Sequence, residues 1–532
     1  MRIITDYLDE TAKRFPNKIA VVNKNHSVTF SELRNRSRKI ATILAELKIF
    51  RQPVAIFLDQ SIESIICMMA VAYSGNFYTI IDSKMPAVRI EKIFETLEPT
   101  AVFTVEKLVS KLPSTEAKVF QLDEFENISV DEKILNKTAR KISCMDVLYV
   151  LFTSGSTGMP KGVTIGQRSV IEYTEWVKKT FSVDEYEVLG NQAPFYFDNS
   201  VLDIYQMFAT GATLHIIPST TFIFPAKLLQ YVAENRVSMI FWVPSVLINV
   251  ANLDILNEFD IDCLHKILFA GEVMPAKQLN QWRRRLPRAM FANLYGPTEI
   301  TVDCTYFIVD REFKDFEPIP IGFPCKDGDV LILNEDDHLV KDSEQGELCV
   351  RGSSLSYGYY NNPEKTIEAF VQNPTIDYPE IIYRTGDLVH RNSRNEIIFD
   401  GRKDFQIKHL GHRIELGEIE TASNAIDEIK ECCCFHDKTR DEIILCYVGN
   451  ISAIDITSKL SRVLPKYMIP TRFEKIDRMP LNSNGKIDRK FLQEYVTTSI
   501  RGGVAYLERL IFCSLLLVLL KVSYLRLYIK RR

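Results

Sequence analysis

The chain has 532 residues, 46% of them hydrophobic, a length that exceeds one compact core and suits two or three. A net charge of −4 with 25% charged residues supplies no global electrostatic reason to bind nucleic acid, so no nucleic-acid partner is expected. Eleven cysteines without a CxxC pair fit neither a disulfide framework nor a zinc site.

The N-terminus reads as an amphipathic helix with Ile4, Tyr7, Leu8 and Ala12 on one face. It has no basic-then-apolar leader, so the expected compartment is the cytoplasm. Thr29 and Glu32 form a capping box ahead of a helix whose inner face carries Leu33, Ile40, Ala41 and Leu44. Val54 to Leu58 reads as a buried strand, Ser61 to Tyr73 as a helix and Phe77 to Ile81 as the next strand. Strand, helix and strand with short connections predict a parallel α/β sheet. The alternation recurs from Ala212 to Leu253 and from Ile267 to Tyr295.

From Gly401 to Leu492 the elements shorten and charge increases, which predicts a separate small α+β domain. Within it, Cys432, Cys433 and Cys434 in the stretch IKECCCF read as a buried strand of small side chains. The expected organisation is a large N-terminal domain over 1–400 with mostly parallel sheets, a small domain over 401–495 and a tail over 496–532. In that tail Leu510 to Leu520 is apolar apart from Ser514, and Lys521 to Arg532 is basic. The apolar run falls short of the roughly 20 residues a membrane span needs, so a docking helix is preferred over membrane contact.

The most informative stretch is Thr153-Ser154-Gly155-Ser156-Thr157-Gly158, which follows the apolar run Val147 to Phe152 and ends in Pro160-Lys161-Gly162. Glycines let a backbone approach a polyphosphate, hydroxyls donate to its oxygens and Lys161 adds positive charge. The Walker pattern does not fit, because Lys161 follows a proline instead of opening a helix.

This loop resembles the phosphate loop of the adenylate-forming superfamily, which includes acyl-CoA synthetases, luciferases and peptide-synthetase adenylation domains. Further segments are similar to family motifs in the expected order, and together they span residues 1 to 495. Asn293-Leu294-Tyr295-Gly296-Pro297-Thr298-Glu299 resembles the second nucleotide motif. The resemblance implies that Tyr295 packs on adenine, Thr298 contacts the α-phosphate, Glu299 binds Mg²⁺, and Asn293, Gly296 and Gly271 join the ATP site. Tyr383 to Leu388 and Gly401 to Asp404 resemble the ribose-binding pair, with Asp387 accepting from both hydroxyls and Arg402 supporting it. A carboxylate suits a vicinal diol because it accepts two hydrogen bonds at once. Asp404 would be the hinge of the small domain, and Gly411 to Glu415 would line a thiol tunnel after rotation. Asn482 to Arg489 resembles the C-terminal lysine loop, whose Lys486 would stabilise charge at the reaction centre together with Thr298 and Lys161.

The segment Ala193 to Ser200 contains Asp198, where amino-acid-activating members pair a carboxylate with the substrate's α-ammonium. The other reading of Asp198 is a helix N-cap. Similarity to D-alanine–D-alanyl carrier protein ligases runs through Phe269 to Pro275, Asp404 to Lys408 and Tyr467 to Pro470, but Ala270 stands where those ligases usually have cysteine. By the same resemblance Asn199, Leu202, Phe241, Leu268, Ala270, Leu294, Val302 and Asp303 line the substrate pocket. Asp303 either accepts from a polar side chain or faces away. The implied activity is ATP- and Mg²⁺-dependent activation of D-alanine or another small amino acid as its AMP anhydride. Transfer to the phosphopantetheine thiol of a separate carrier protein would follow. An acyl- or aryl-CoA ligase, or a catalytically idle relative with only a binding role, is the alternative.

Overall fold

The structure is a computed structural model that describes residues 2–496 apart from 126, 156–158, 326–327, 342, 404–405, 438–439, 481–486 and 490. The expectations for Ser156, Thr157, Gly158, Asp404 and Lys486, and for the tail beyond 496, therefore lie outside the described residues. The chain divides into two compact units, Met1–Glu415 and Leu416–Arg532.

The first unit is α/β, as the alternation predicts. One sheet has six central parallel strands, in the order Ile19–Asn23, Thr213–Ile216, Val188–Asn191, Met239–Trp242, Lys266–Phe269 and Met290–Tyr295. Antiparallel strands extend it at both edges. Side chains alternate across this sheet, so Phe241, Leu268 and Leu294 join one buried layer while Trp242 and Phe269 join the other. The indole of Trp242 donates to the Gly190 carbonyl at 2.7 Å, which satisfies its one polar atom.

A second sheet runs parallel through Lys118–Gln121, Ala101–Thr104, Pro53–Phe57, Phe77–Ile81 and Val147–Thr153, and ends in the antiparallel strand Lys161–Gly166. Ser61 caps the helix Ile62–Tyr73 through the Ser64 N–H, and Thr29 and Glu32 close the predicted capping box at Phe30–Glu46. A third, antiparallel sheet contains Ile381–Arg391 and Ile397–Arg402, whose register sets Asp387 opposite Arg402.

At the N-terminal ends of the parallel strands, Glu187 gathers His265 (3.2 Å), Lys266 and the Ser238 hydroxyl. Burial would raise its carboxyl, but these hydrogen bonds and the Lys266 charge take it down to about 2. A depressed carboxyl stabilises the fold above its unfolded pKa and loses that contribution as pH falls towards the folded one. Glu187→Gln should therefore lower the melting temperature at pH 7 and show a shallower acid decline than wild type between about pH 4.5 and 2. Parallel acid-melting curves by circular dichroism would show the proposed linkage to be wrong.

The second unit has helices Leu416–Asn424 and Ala453–Leu460 beside a sheet of Ile429–Asp437, Glu442–Gly449 and Arg472–Lys475. Cys432, Cys433 and Cys434 lie buried in its first strand, as expected. The Arg489 guanidinium makes two 2.6 Å bonds to the Glu420 carboxylate, so its last described segment is tied to its first helix. Among the described residues no helix is long and apolar enough to cross a membrane.

Candidate active site

The loop after Thr153 joins two antiparallel strands, Val147–Thr153 and Lys161–Gly166. It is a hairpin connection, not a strand-to-helix turn, which is why its lysine stands on a returning strand. Lys161 Nζ lies 5.5 Å from the Tyr359 ring centroid and 3.6 Å from Glu415. The Ser154 hydroxyl donates to the Arg413 carbonyl at 2.7 Å, and Thr153 makes a long 3.5 Å bond to the Lys161 carbonyl.

Tyr295 ends a central strand, and its hydroxyl donates to Asp387 Oδ2 while Arg402 donates to Oδ1. Both partners hold a carboxylate that is 1% exposed. A carboxylate offers about four lone-pair sites, so acceptor capacity remains for a diol. Lys408 Nζ lies 4.9 Å from the centroid of the Tyr295 ring. Asn293 does something other than face a ligand with its amide donor: it donates to the Pro320 carbonyl at 2.8 Å.

After Tyr295 the backbone is crowded. A Cβ on Gly296 would stand 2.3 Å from the Val302 carbonyl, so only glycine lets the two strands of this loop approach. Glu299 is 1% exposed and accepts from Tyr359 Oη (2.7 Å) and from Arg413. Burial alone would raise this carboxyl; the Arg413 charge and the Tyr359 bond outweigh it and hold it below its usual range. Two partners leave lone pairs on Glu299, so a hard cation such as Mg²⁺ fits this donor.

The hairpin Gln406–His409 and His412–Glu415 brings Arg413 to Glu299. Its turn residue Gly411 takes φ +77, where a Cβ would stand 2.6 Å from Val243, and its N–H donates to Glu272 at 2.6 Å. Glu272 also accepts from Ser245 N at 2.8 Å, at the start of helix Pro244–Asn252. Gly271 beside it has φ +93. Arg413, Tyr359 and Glu415 carry no individual signal in the sequence, although Arg413 and Glu415 lie within the Gly411 to Glu415 segment.

Asp198 occupies the N-cap position of helix Asn199–Thr210 but makes no side-chain capping bond, which disfavours the N-cap reading. Burial raises its carboxyl to about 6 against a hydrogen bond with Thr298, and the Glu299 charge adds to the rise. Asn199 is half-buried at the head of the same helix. Leu202, Phe241, Leu268, Ala270, Leu294 and Val302 are all 2% exposed or less and share one apolar layer. Asp303 turns to Tyr173, whose hydroxyl donates to Oδ2 at 2.7 Å. Burial raises the Asp303 carboxyl to about 8 despite that bond.

Comparison with known proteins shows the family and the fold. Residues 8–360 match the family described as AMP-binding enzyme. The chain is 32% identical to tyrocidine synthase 1 of Brevibacillus parabrevis over 512 residues, covering 94% of this chain and 46% of that one. Gramicidin S synthase 1 of Brevibacillus brevis is 30% identical over 501 residues, with 93% of this chain and 44% of that one covered. The chain therefore spans about half the length of these two relatives or slightly less. Zwittermicin A synthase ZmaJ of Bacillus cereus is 30% identical over 522 residues, with 94% of this chain and 98% of that one covered. The adenylation domain AlmE of Vibrio cholerae, solved in complex with glycyl-adenosine-5'-phosphate, shares the fold with a TM-score of 0.80 at 20% identity, over 94% of this chain and 98% of that one.

Proposed function

Because the chain belongs to the AMP-binding enzyme family, we propose that it activates an amino acid with ATP, forming an aminoacyl-adenylate and pyrophosphate. The observation that carries this reading is Asp198. A carboxyl held by Thr298 beside an apolar layer is placed to pair with an α-ammonium, and an acid without an amino group would have no use for it.

Tyr295, Asp387 and Arg402 bind the nucleoside, with the remaining lone pairs of Asp387 taking the ribose hydroxyls. Lys161 with Ser154 and Gly155 binds the phosphates, a role the resemblance extends to Ser156, Thr157 and Gly158. Thr298 holds Asp198 on one side and the α-phosphate on the other. Glu299 would hold Mg²⁺, which supplies charge neutralisation to the phosphates when bound. In the forward step the substrate carboxylate attacks the α-phosphorus, a new P–O bond forms and the bond to pyrophosphate breaks. The protein contributes positioning and fixed charge, and no general base is needed because the nucleophile is already an anion. The resemblance assigns Lys486 the addition of charge at the reaction centre and Asp404 the role of hinge, after which the phosphopantetheine thiol of a carrier protein would accept the aminoacyl group. Small neutral amino acids, D-alanine among them, are the first candidates.

Amino-acid-dependent exchange of labelled pyrophosphate into ATP tests the reading, run with each amino acid separately in Mg²⁺. Exchange with one amino acid, at least tenfold above the no-substrate rate, is the expected result. Folded protein that exchanges only with carboxylic acids lacking an amino group would instead be a CoA-ligase-type enzyme.

A further inference from the structure

Arg489 lies three residues past Lys486 and meets two other elements of the second unit. Its guanidinium makes paired 2.6 Å bonds to both carboxylate oxygens of Glu420, on the helix Leu416–Asn424, and donates to the Cys434 carbonyl at 2.8 Å. Glu420 Oε1 also accepts from the Cys434 N–H at 2.6 Å. Cys434 belongs to the strand Ile429–Asp437, an edge of its sheet among the described residues, so the pair satisfies backbone that a further strand would otherwise meet. A bidentate arginine–carboxylate pair fixes orientation as well as distance. Here it is largely sheltered, with the Glu420 side chain 14% exposed and that of Arg489 25% exposed.

Neighbouring contacts hold both flanks of the segment that carries Lys486. Asp488 N donates to the Pro480 carbonyl at 2.8 Å, so the residues flanking 481–487 are bonded to each other. Met479 before them and Leu492 and Val496 after them are 2% exposed or less in one buried cluster, against which Ile487 packs. Covering a strand edge accounts for the bonds to Cys434. It does not account for the guanidinium being so near Lys486 in the chain. Three residues span at most about 11 Å, so a shift at Arg489 reaches Lys486 through a short tether.

We propose that Glu420 and Arg489 are positioning residues for adenylate formation, acting through Lys486: their ion pair fixes the base from which Lys486 presents its charge. The inference rests on the reading of Lys486 given above. A charge that stabilises a transition state acts at a set distance, and a misplacement of about 1 Å can cost about 100-fold in rate. ATP and the amino acid are bound by other residues, so loss of the pair is read in kcat while KM holds.

The test is amino-acid-dependent pyrophosphate exchange on the full chain, run with the amino acid that exchanges fastest. Lys486→Ala is expected to lower kcat about 100- to 1,000-fold. Glu420→Gln keeps an acceptor for the Cys434 N–H but loses the ion pair. It should lower kcat about 10- to 100-fold, with KM for ATP and for the amino acid within about twofold of wild type. Arg489→Lys keeps the charge without the paired geometry, should do the same, and carries the test if Glu420→Gln fails to fold. Adding Glu420→Gln to Lys486→Ala should cause no further loss, because residues that act as one unit are not additive. An equal loss in both backgrounds would mark a structural role independent of Lys486 and overturn the inference. A wild-type kcat in folded Glu420→Gln and Arg489→Lys, beside a slow Lys486→Ala, overturns the inference alone. Wild-type exchange in Lys486→Ala overturns the reading of Lys486 and this inference together, and so does a wild type that exchanges with no amino acid.

Discussion

Asp387→Ala is expected to raise the KM for ATP at least 100-fold and to destabilise the protein at the same time. The carboxylate accepts from both Tyr295 and Arg402 while almost fully buried. Its removal strands a guanidinium that is itself only 10% exposed, and breaking a buried pair in this way costs about 3–5 kcal/mol. The nucleotide loses two charge-assisted hydrogen bonds on top, each about 1.5–3 kcal/mol. Asp387→Asn separates the two effects: it keeps an acceptor for the ribose but loses the ion pair with Arg402. Calorimetric titration with ATP, beside thermal melts of all three proteins, reads both quantities. Wild-type ATP affinity in a folded Asp387→Ala protein would remove Asp387 from the nucleotide site.

The second large effect falls on Asp198. Asp198→Ala should cut amino-acid-dependent exchange by about 100- to 1,000-fold while ATP still binds, since an unpaired α-ammonium in a buried site costs about 3–5 kcal/mol. Burial raises the carboxyl to about 6, so it is increasingly protonated below that pH and ionised above it. The ammonium pairs with the ionised form. Apparent kcat/KM for the amino acid should therefore fall about tenfold per pH unit below about 6 and level off above it. Asp198→Asn should lack this acid limb. An unchanged profile in that variant would assign the limb to another group and weaken the pairing.

Much of the fold was legible because its signals are local. The capping box at Thr29 and Glu32, the buried strand Phe77–Ile81 and the apolar run before Ser154 are contiguous patterns, and each forms where periodicity places it. Asp198, Tyr295 and Asp387 were proposed from contiguous motifs in the same way. Other parts of the site were not legible. The support of Asp387 by Arg402 was expected only through the resemblance, since no spacing in the chain encodes the strand register that sets the two opposite. Arg413 reaches Glu299 across 114 positions, and Tyr173 reaches Asp303 across 130.

By itself, then, the sequence determined which groups are available: a hydroxyl- and glycine-rich loop ending in Lys161, a tyrosine–glycine turn before Thr298 and Glu299, and a carboxyl at Asp198. Their identity and spacing are properties of short segments, where backbone preference and side-chain chemistry act alone. Only the tertiary structure decided what those groups face. It turned Asp303 towards Tyr173, bonded the Asn293 amide to Pro320 and set Arg413 upon Glu299. The physical reason is that a buried polar group must be paired, and its partner is chosen by packing among segments far apart in the chain.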